Sequence, residues 1–458
     1  MKIADSAECN KFLSDHPNID TIQIFFTNAS GVPRGKNLRR HDLLPVFEHG
    51  RYLPGTMLAL DITGEDVEES GLVWEDGDAD RLGRPIAGTL TPMPWMGERQ
   101  AQLMLSVYEL DGKPCVYDPR HVLAHVIERF KSLGMVPVIA CELEFFLLDR
   151  NRDSRGKQQP PLSQTTSFRP WDIQVYGLRE LDDFAPFLKD LYTACDIQNI
   201  PAETAISEYA PGQLEITLRH KADALRAADD AIMYKRIVKG IAVQHGFEAT
   251  FMAKPFSESA GNGMHLHVSL ADEKGNNLFA SNLPEGTPLL RHAIAGMMKM
   301  LPESMAIFAP NANSYRRFRA NSYAPVAPTW GINNRTVSLR VPAGPASTRH
   351  IEHRVSGADS NPYLALAALL AGIHHGITQR LDPGAPIVGN GYAQAQESHL
   401  ALPGNWFKAL DLFDKAEHLQ SYLGTDFSRV FSAIKRTEQA RFFGQVTELD
   451  YNWYLRNS

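Results

Sequence analysis

Apolar and polar positions along this chain change their rhythm near residue 111. Before it, TIQIFFTNASG (21–31) is an apolar run ending in turn residues, and QLMLSVYEL (102–110) is a second strand-like run closed by the turn DGKP. Between them lies an acidic, glycine-spaced stretch, DITGEDVEESG (61–71). Beyond it, DPRHVLAHVIERFKSLG predicts an amphipathic helix with Asp118 as N-cap, Pro119 in its first turn and Gly134 as its stop. Strands and helices then alternate. MVPVIACELEFFLLD (135–149), FEATFMAKPF and GMHLHVSL read as strands; 223–246, about 289–301, 361–377 and most of 407–456 read as helices. DRNRDSRGKQQPP (149–161) is a polar loop, and no internal repeat is visible. The pattern predicts an α+β protein: a small strand-rich unit, a boundary within 111–118, and a large catalytic α/β unit.

Composition narrows this only a little. With 458 residues the chain exceeds one ordinary domain. A net charge of −7 weighs against nucleic acid or an anionic membrane as main partner and suits a cationic small molecule. Cys9, Cys115, Cys141 and Cys195 lie far apart without a C-x-x-C, which predicts a reducing compartment and no thiol chemistry. MKIADSAECNKFL lacks the apolar segment of a signal peptide, and the longest apolar stretch, near Tyr363–Ile373, is too short to span a bilayer. The expected location is the cytoplasm.

The candidate chemistry begins with Glu142 and Glu144, which interrupt an apolar strand. Two residues apart, they share a face at roughly 7 Å. Such a pair is ordinarily a solvated face, but the flanks VPVIAC and FFLL predict a strand buried on both sides. Ionised carboxylates there need a cation, and a metal is the economical one. Glu208 and Glu215 bracket SEYAPGQLEI, whose Pro-Gly turn brings them together across a loop or hairpin. GNGMHLHVSL (261–270) sets His265 and His267 on one strand face, and Glu352 follows in RHIEHR. An oxygen-rich set with one imidazole suits Mg²⁺ or Mn²⁺ better than zinc, and such cations serve phosphate chemistry.

Between Arg316 and Arg354 stand seven arginines (Arg316, Arg317, Arg319, Arg335, Arg340, Arg349, Arg354), no lysine, and one acid, Glu352. A solvated face mixes in lysines and acids; arginine alone suits bidentate recognition of carboxylate and phosphate. Tyr315, Phe318, Tyr323 and Trp330 interleave with them, as in single-strand RNA binders, yet the acidic whole and the metal-type carboxylates oppose that reading. GVPRGK (31–36) has the wrong spacing for a phosphate loop, so a nucleotide here falls to metal ions and arginines.

Taken in order, CELEFFLLD, APGQLEI, ATFMAKPF, GNGMHLHVSL, NSYRRF, NNRTVSLRVP and RHIEHRVSGADSNPYLALAALLAG resemble glutamine synthetase of the bacterial type, from about residue 20 to the C-terminus. The resemblance implies an N-terminal β-grasp domain (1–114), a glutamine-synthetase catalytic domain (115–458), and a homo-oligomer, a dodecamer of two hexameric rings with sites between subunits. It implies ATP as substrate and two or three Mg²⁺ or Mn²⁺ ions. Glu144, Glu208 and Glu215 fall where the family holds one metal; Glu142, His265 and Glu352 fall where it holds another. Glu203, His267, Ser269 and Arg340 match its ATP contacts, and Arg317 and Arg354 its glutamate clamp, with Gly261 in the adjoining loop. Arg335 matches the residue that neutralises the transferring phosphoryl group.

Two departures bear on the nucleophile. Ammonia-using members carry a flap glutamate where this chain has Tyr323, and an aspartate where LPGTM (53–57) offers Pro54. A phenol and a proline do not cage ammonium. The pattern resembles the γ-glutamylputrescine synthetase branch, which implies a glutamate–polyamine ligase of polyamine catabolism. Asp61, Glu65, Asp66, Glu68 or Glu69 is then a seat for the distal ammonium, with a solvated acidic loop as the plain alternative. Tyr323 and Arg335 are the catalytic candidates. Ala260 replaces the family's usual asparagine beside glutamate, and 390–405 holds no adenylylation-type tyrosine loop. The rivals are an ammonia- or monoamine-using ligase, a non-catalytic homologue, and a nucleic-acid-binding protein.

Overall fold

Strand-forming runs before residue 110 give β1 (Thr21–Thr27), β2 (Pro33–Arg39), β3 (Arg51–Pro54), β4 (Asp80–Pro85), β5 (Thr91–Pro92) and β6 (Gln100–Tyr108) in the computed structural model, which describes residues 2–397 and 401–458 apart from the side chains of 395–397. Part of the 390–405 stretch, residues 398–400, therefore lies outside the described residues. These strands form a mixed sheet in the order β2-β1-β6-β4-β3, with β5 beside β6 and only β1 and β6 parallel. Alternation decides what each face touches. Ile22, Ile24, Phe26, Leu103, Leu105 and Val107 cluster with Phe12, Val46 and Phe47 of the helices Ser6–Asp15 and Leu43–His49. Phe25 and Met104 point the other way into the larger core. There Arg236 lies over the Phe25 ring and donates to Gln23 and Gln102, each at 2.8 Å. The small sheet is thus covered on both sides.

The second sheet comprises β7 (Val136–Asp149), β8 (Ala202–Ser207), β9 (Gln213–Leu218), β10 (Phe247–Thr250), β11 (Met264–Ala271), β12 (Trp330–Ile332), β13 (Leu339–Val341) and β14 (Ile351–His353). Its order is β12-β13-β14-β11-β7-β9-β8, with β10 on β7. Helices Ala224–Gln244, Pro288–Phe308 and Pro362–Thr378 contribute to the apolar core behind it. The last two cross at glycines: a Cβ on Gly296 would lie 2.0 Å from the Gly372 carbonyl oxygen and 2.4 Å from the Gly376 nitrogen.

The helix expected after Asp118 spans Pro119–Lys131, capped by the Asp118 carboxylate on the Arg120 N–H. Two expectations need correction. The strand read through FEATFMAKPF ends at Thr250, because the Asn262 side chain draws the Met252 carbonyl out of the ladder (2.9 Å). The helix read at 289–301 continues through Pro302 to Phe308, since Met305, Ala306, Ile307 and Phe308 extend its buried face. All four cysteines are free and buried. Among the described residues no helix is long and apolar enough to cross a membrane.

Candidate active site

One face of the second sheet collects the predicted residues by register. His265 on β11 stands opposite Glu142 on β7, Glu144 on β7 opposite Glu215 on β9, and His267 on β11 opposite Glu352 on β14. Directly opposed residues lie about 4.5–5.5 Å apart at Cβ, within reach of one shared ion. The strand β7 was expected buried on both faces, and that is corrected here. Cys141, Leu143 and Phe145 face the core, whereas Glu142 and Glu144 on the other face are half-buried and line the site.

His265 is the hub. Its Nδ1 lies 3.2 Å from Glu142, 3.9 Å from Glu352 and 4.0 Å from Glu215, and its Nε2 lies 4.0 Å from Glu144. Glu142, His265 and Glu352 form one group able to hold a metal. The other group is Glu144, Glu215 and His265, without Glu208. Glu208 sits past the end of β8, in the hairpin expected from Pro-Gly, where its carboxylate accepts the Tyr209 N–H.

The charges show what is missing. Burial, then the charge of Glu208, pushes Glu144 up to about 8, although the Gly263 N–H donates to it at 2.7 Å. Burial, then Glu142 and Glu144, drives Glu215 well above the ordinary range, and Glu208 rises mainly by burial. Among the described residues, His265 is the sole ion-pair partner of Glu144 and Glu215. This all-carboxylate surplus around one imidazole fits hard divalent cations. Glu142 behaves oppposite: burial opposes its ionisation, but bonds from His265 and His267 hold it well below the usual range. At Glu352 burial is likewise outweighed, by Arg354, the histidines and Arg340, which bring it down to about 2.

The arginine cluster divides. Arg340 reaches Glu352 at 2.7 Å, and Arg354 pairs with the other oxygen of the same carboxylate. Arg317 is buried and donates to the main-chain carbonyls of Val355 (2.8 Å) and Arg354 (3.1 Å). Gly261 lies against it: a Cβ there would meet the Ala253 carbonyl at 2.5 Å and Arg317 Cγ at 2.9 Å. Arg349 is committed to the Pro342 and Ser281 carbonyls. Arg316 and Arg319 are exposed. Arg335 is exposed too, lining an open cleft of about 320 Å³ with Asn333, Asn334 and Val388.

Ser269 is two residues beyond His267 on β11. Glu203, on the outer strand β8, is 2.6 Å from Arg219. Tyr323 is exposed, with φ of 57°, and its ring centroid is 6.5 Å from that of Tyr209. Asp61 is not available to an ammonium. Its buried carboxylate accepts N–H groups of Thr63, Gly64 and Glu65 and pairs with Arg441. Glu65 is 3.0 Å from Arg441 and Glu69 accepts from Thr437, while Asp66 and Glu68 stay exposed.

Several site residues carry no signal in sequence. Gln213 Nε2 sits 3.0 Å from both the Gly261 carbonyl and Asn262 Oδ1, and 3.3 Å from Glu144. Gly263 carries the N–H on Glu144. His220 and His350 join His267 in a third group. Only the pairing of strands distant in sequence assembles these.

Residues 116–454 match the family model for the glutamine synthetase catalytic domain. The γ-glutamylputrescine synthetase PuuA of Escherichia coli (strain K12) is 41% identical over 99% of this chain and 96% of its own length. A glutamate–isopropylamine ligase of Pseudomonas sp is 34% identical over 97% of this chain and 95% of its own. A GmaS structure in complex with ADP superposes with a TM-score of 0.84 at 27% identity, covering 97% of this chain and 98% of that one.

Proposed function

This chain belongs to the glutamine synthetase family, and from that premise we propose that it uses ATP to join the γ-carboxylate of glutamate to one amino group of a di- or polyamine. The observation that carries the chemistry is the surplus of buried carboxylate around His265, faced by Arg317, Arg340 and Arg354. We assign Glu144 and Glu215, with Glu208 across the turn, to one Mg²⁺ or Mn²⁺, and Glu142, His265 and Glu352 to another. Bound there, such ions spread the charge that develops on a transferring phosphoryl group. Glu203, His267, Ser269 and Arg340 hold the nucleotide; Arg317 and Arg354, beside Gly261, hold glutamate; Arg335 faces the phosphoryl group in transfer.

A γ-carboxylate oxygen attacks the γ-phosphorus of ATP and ADP leaves. The amine then attacks the acyl carbon, the bond to phosphate breaks, and the nitrogen gives up a proton. Support for a polyamine comes from the 41% identical γ-glutamylputrescine synthetase and from Tyr209 and Tyr323, whose rings offer π-faces to an alkylammonium where an acid would suit ammonium. Exposed Phe442, Phe443, Val446, Tyr451, Trp453 and Leu455 near the C-terminus support a homo-oligomer, for which we propose the two-ring dodecamer. We also propose the division into domains 1–114 and 115–458. The test is ADP release with ATP, Mg²⁺ and glutamate against ammonium, ethylamine, isopropylamine, putrescine and spermidine. Putrescine or spermidine should lead; equal turnover with ammonium overturns the polyamine assignment, and equal turnover with isopropylamine makes the enzyme a monoamine ligase.

A further inference from the structure

His220, His267 and His350 meet on the same sheet face, beside the carboxylate cluster but using none of its oxygens as ligands. Their ring centroids are 5.1, 5.5 and 5.9 Å apart, and one nitrogen from each lies within 4.8 Å of the others. The sheet makes room for them. His267 pairs with Ala140 of β7, whose side chain is only a methyl group. His220 follows β9, where Lys221 bridges back to Ile139.

Hydrogen-bond accounting fixes which nitrogens are free. His350 Nδ1 is 2.7 Å from the Thr348 carbonyl, which only accepts, so Nδ1 carries the hydrogen and Nε2 presents a lone pair. His267 Nε2 lies 2.9 Å from a Glu142 oxygen, an ion-pair contact without hydrogen-bond alignment, and a hydrogen on that nitrogen leaves His267 Nδ1 a lone pair in the neutral ring. These two lone pairs face each other across 3.0 Å. Two neutral rings repel in that geometry; only a cation between them, a proton or a metal, makes it favourable. A tetrahedral zinc with bonds near 2.05 Å has an edge of roughly 3.3 Å, close to the observed spacing. The carbonyl behind His350 and the carboxylate behind His267 are the supports that metal-ligating histidines ordinarily have.

We propose that His220, His267 and His350 form a site for a borderline transition-metal ion such as Zn²⁺, distinct from the carboxylate sites for hard cations. Three imidazoles prefer Zn²⁺, Co²⁺ or Ni²⁺ over Mg²⁺. Because His267 is also assigned to the nucleotide, the bound ion obstructs ATP. That consequence rests on the proposed ligase activity; the binding itself does not.

The experiment uses the full-length protein with its carboxylate sites saturated by Mg²⁺. Co²⁺ is titrated and read by visible absorption, which is intense for a tetrahedral nitrogen site and weak for an octahedral oxygen site; Zn²⁺ affinity is read by displacement. One Co²⁺ per chain should give the intense spectrum. His350→Asn and His220→Asn should each abolish it and weaken Zn²⁺ binding by about tenfold or more, while Glu215→Gln keeps both. His350→Cys, which supplies a thiolate, should restore binding. If His350→Asn does not fold, His220→Asn at an exposed strand end carries the test. An unchanged spectrum in both histidine variants, or its loss in Glu215→Gln, overturns the proposal. With an active ligase, Zn²⁺ should inhibit competitively with ATP, and His220→Asn should relieve it; inhibition unchanged by that variant removes the regulatory consequence and leaves the binding result standing.

Discussion

Glu352 and Glu215 are both buried acids on one sheet face, yet they should respond oppositely to mutation. Glu352 is clasped by Arg340 and Arg354, so Glu352→Ala leaves two guanidinium groups without their partner. A loss of about 3–5 kcal/mol in urea unfolding is expected. A loss near zero would mean the pairs are not formed. Glu215→Gln mimics the protonated carboxyl that burial favours in the metal-free fold, and without divalent metal it should be neutral or stabilising while abolishing turnover. Glu144→Ala should abolish turnover as well, and unchanged ADP release would refute the metal assignment. Glu144 also sets a pH dependence. Its carboxyl is raised to about 8 in the fold, so the metal-free fold binds the extra proton between the unfolded value and that point. Stability carried by this proton is complete below the unfolded pKa and is lost as pH rises through about 8. In chelator, Tm should fall as pH rises from about 5 to about 8 and then level off, and Mg²⁺, which binds the ionised form, should flatten the decline. Period two alone placed Glu142 with Glu144, and His265 with His267, on one face of a strand. Gln213, His220 and His350 were not, because each acquires its neighbours only through strand pairing across long stretches of chain.

At the scale of elements, one cap and one turn were written in sequence: Asp118 caps the helix that follows it, and the Pro-Gly of 211–212 closes the β8–β9 hairpin. Helix ends and strand faces were less legible, since Pro302 is overridden by the apolar residues beyond it and β7 is buried on one side only. The helix crossing at Gly296 depends on backbone touching backbone. Gly296→Ala should cost about 1–3 kcal/mol or more, read by denaturant midpoint, because neither Gly372 nor Gly376 has a side chain to move aside. The flap is a separate matter of chemistry. Tyr323→Glu restores an acid where ammonia-using members have one, and should raise kcat/KM for ammonium relative to putrescine. A ratio that stays fixed would show that Tyr323 does not select the amine.

For the molecule as a whole, the engagement of Asp61 was not legible in the acidic segment, because no local pattern distinguishes a solvated loop from one tied to a helix 380 residues later. Truncation after Phe443 removes Val446, Tyr451, Trp453 and Leu455 and should shift the assembly to smaller species in light scattering coupled to size exclusion; an unchanged mass would place the contacts elsewhere. The tie between Asp61 and Arg441 is joined by a buried network in which Lys435 and Glu438 meet Ser30. During synthesis the first hundred residues therefore emerge long before the helix Thr425–Phe443 that completes them. Until that helix clears the ribosome, Asp61 and Ser30 lack the cationic partners it carries, and the amino-terminal unit waits on a segment made more than three hundred residues later for its closure.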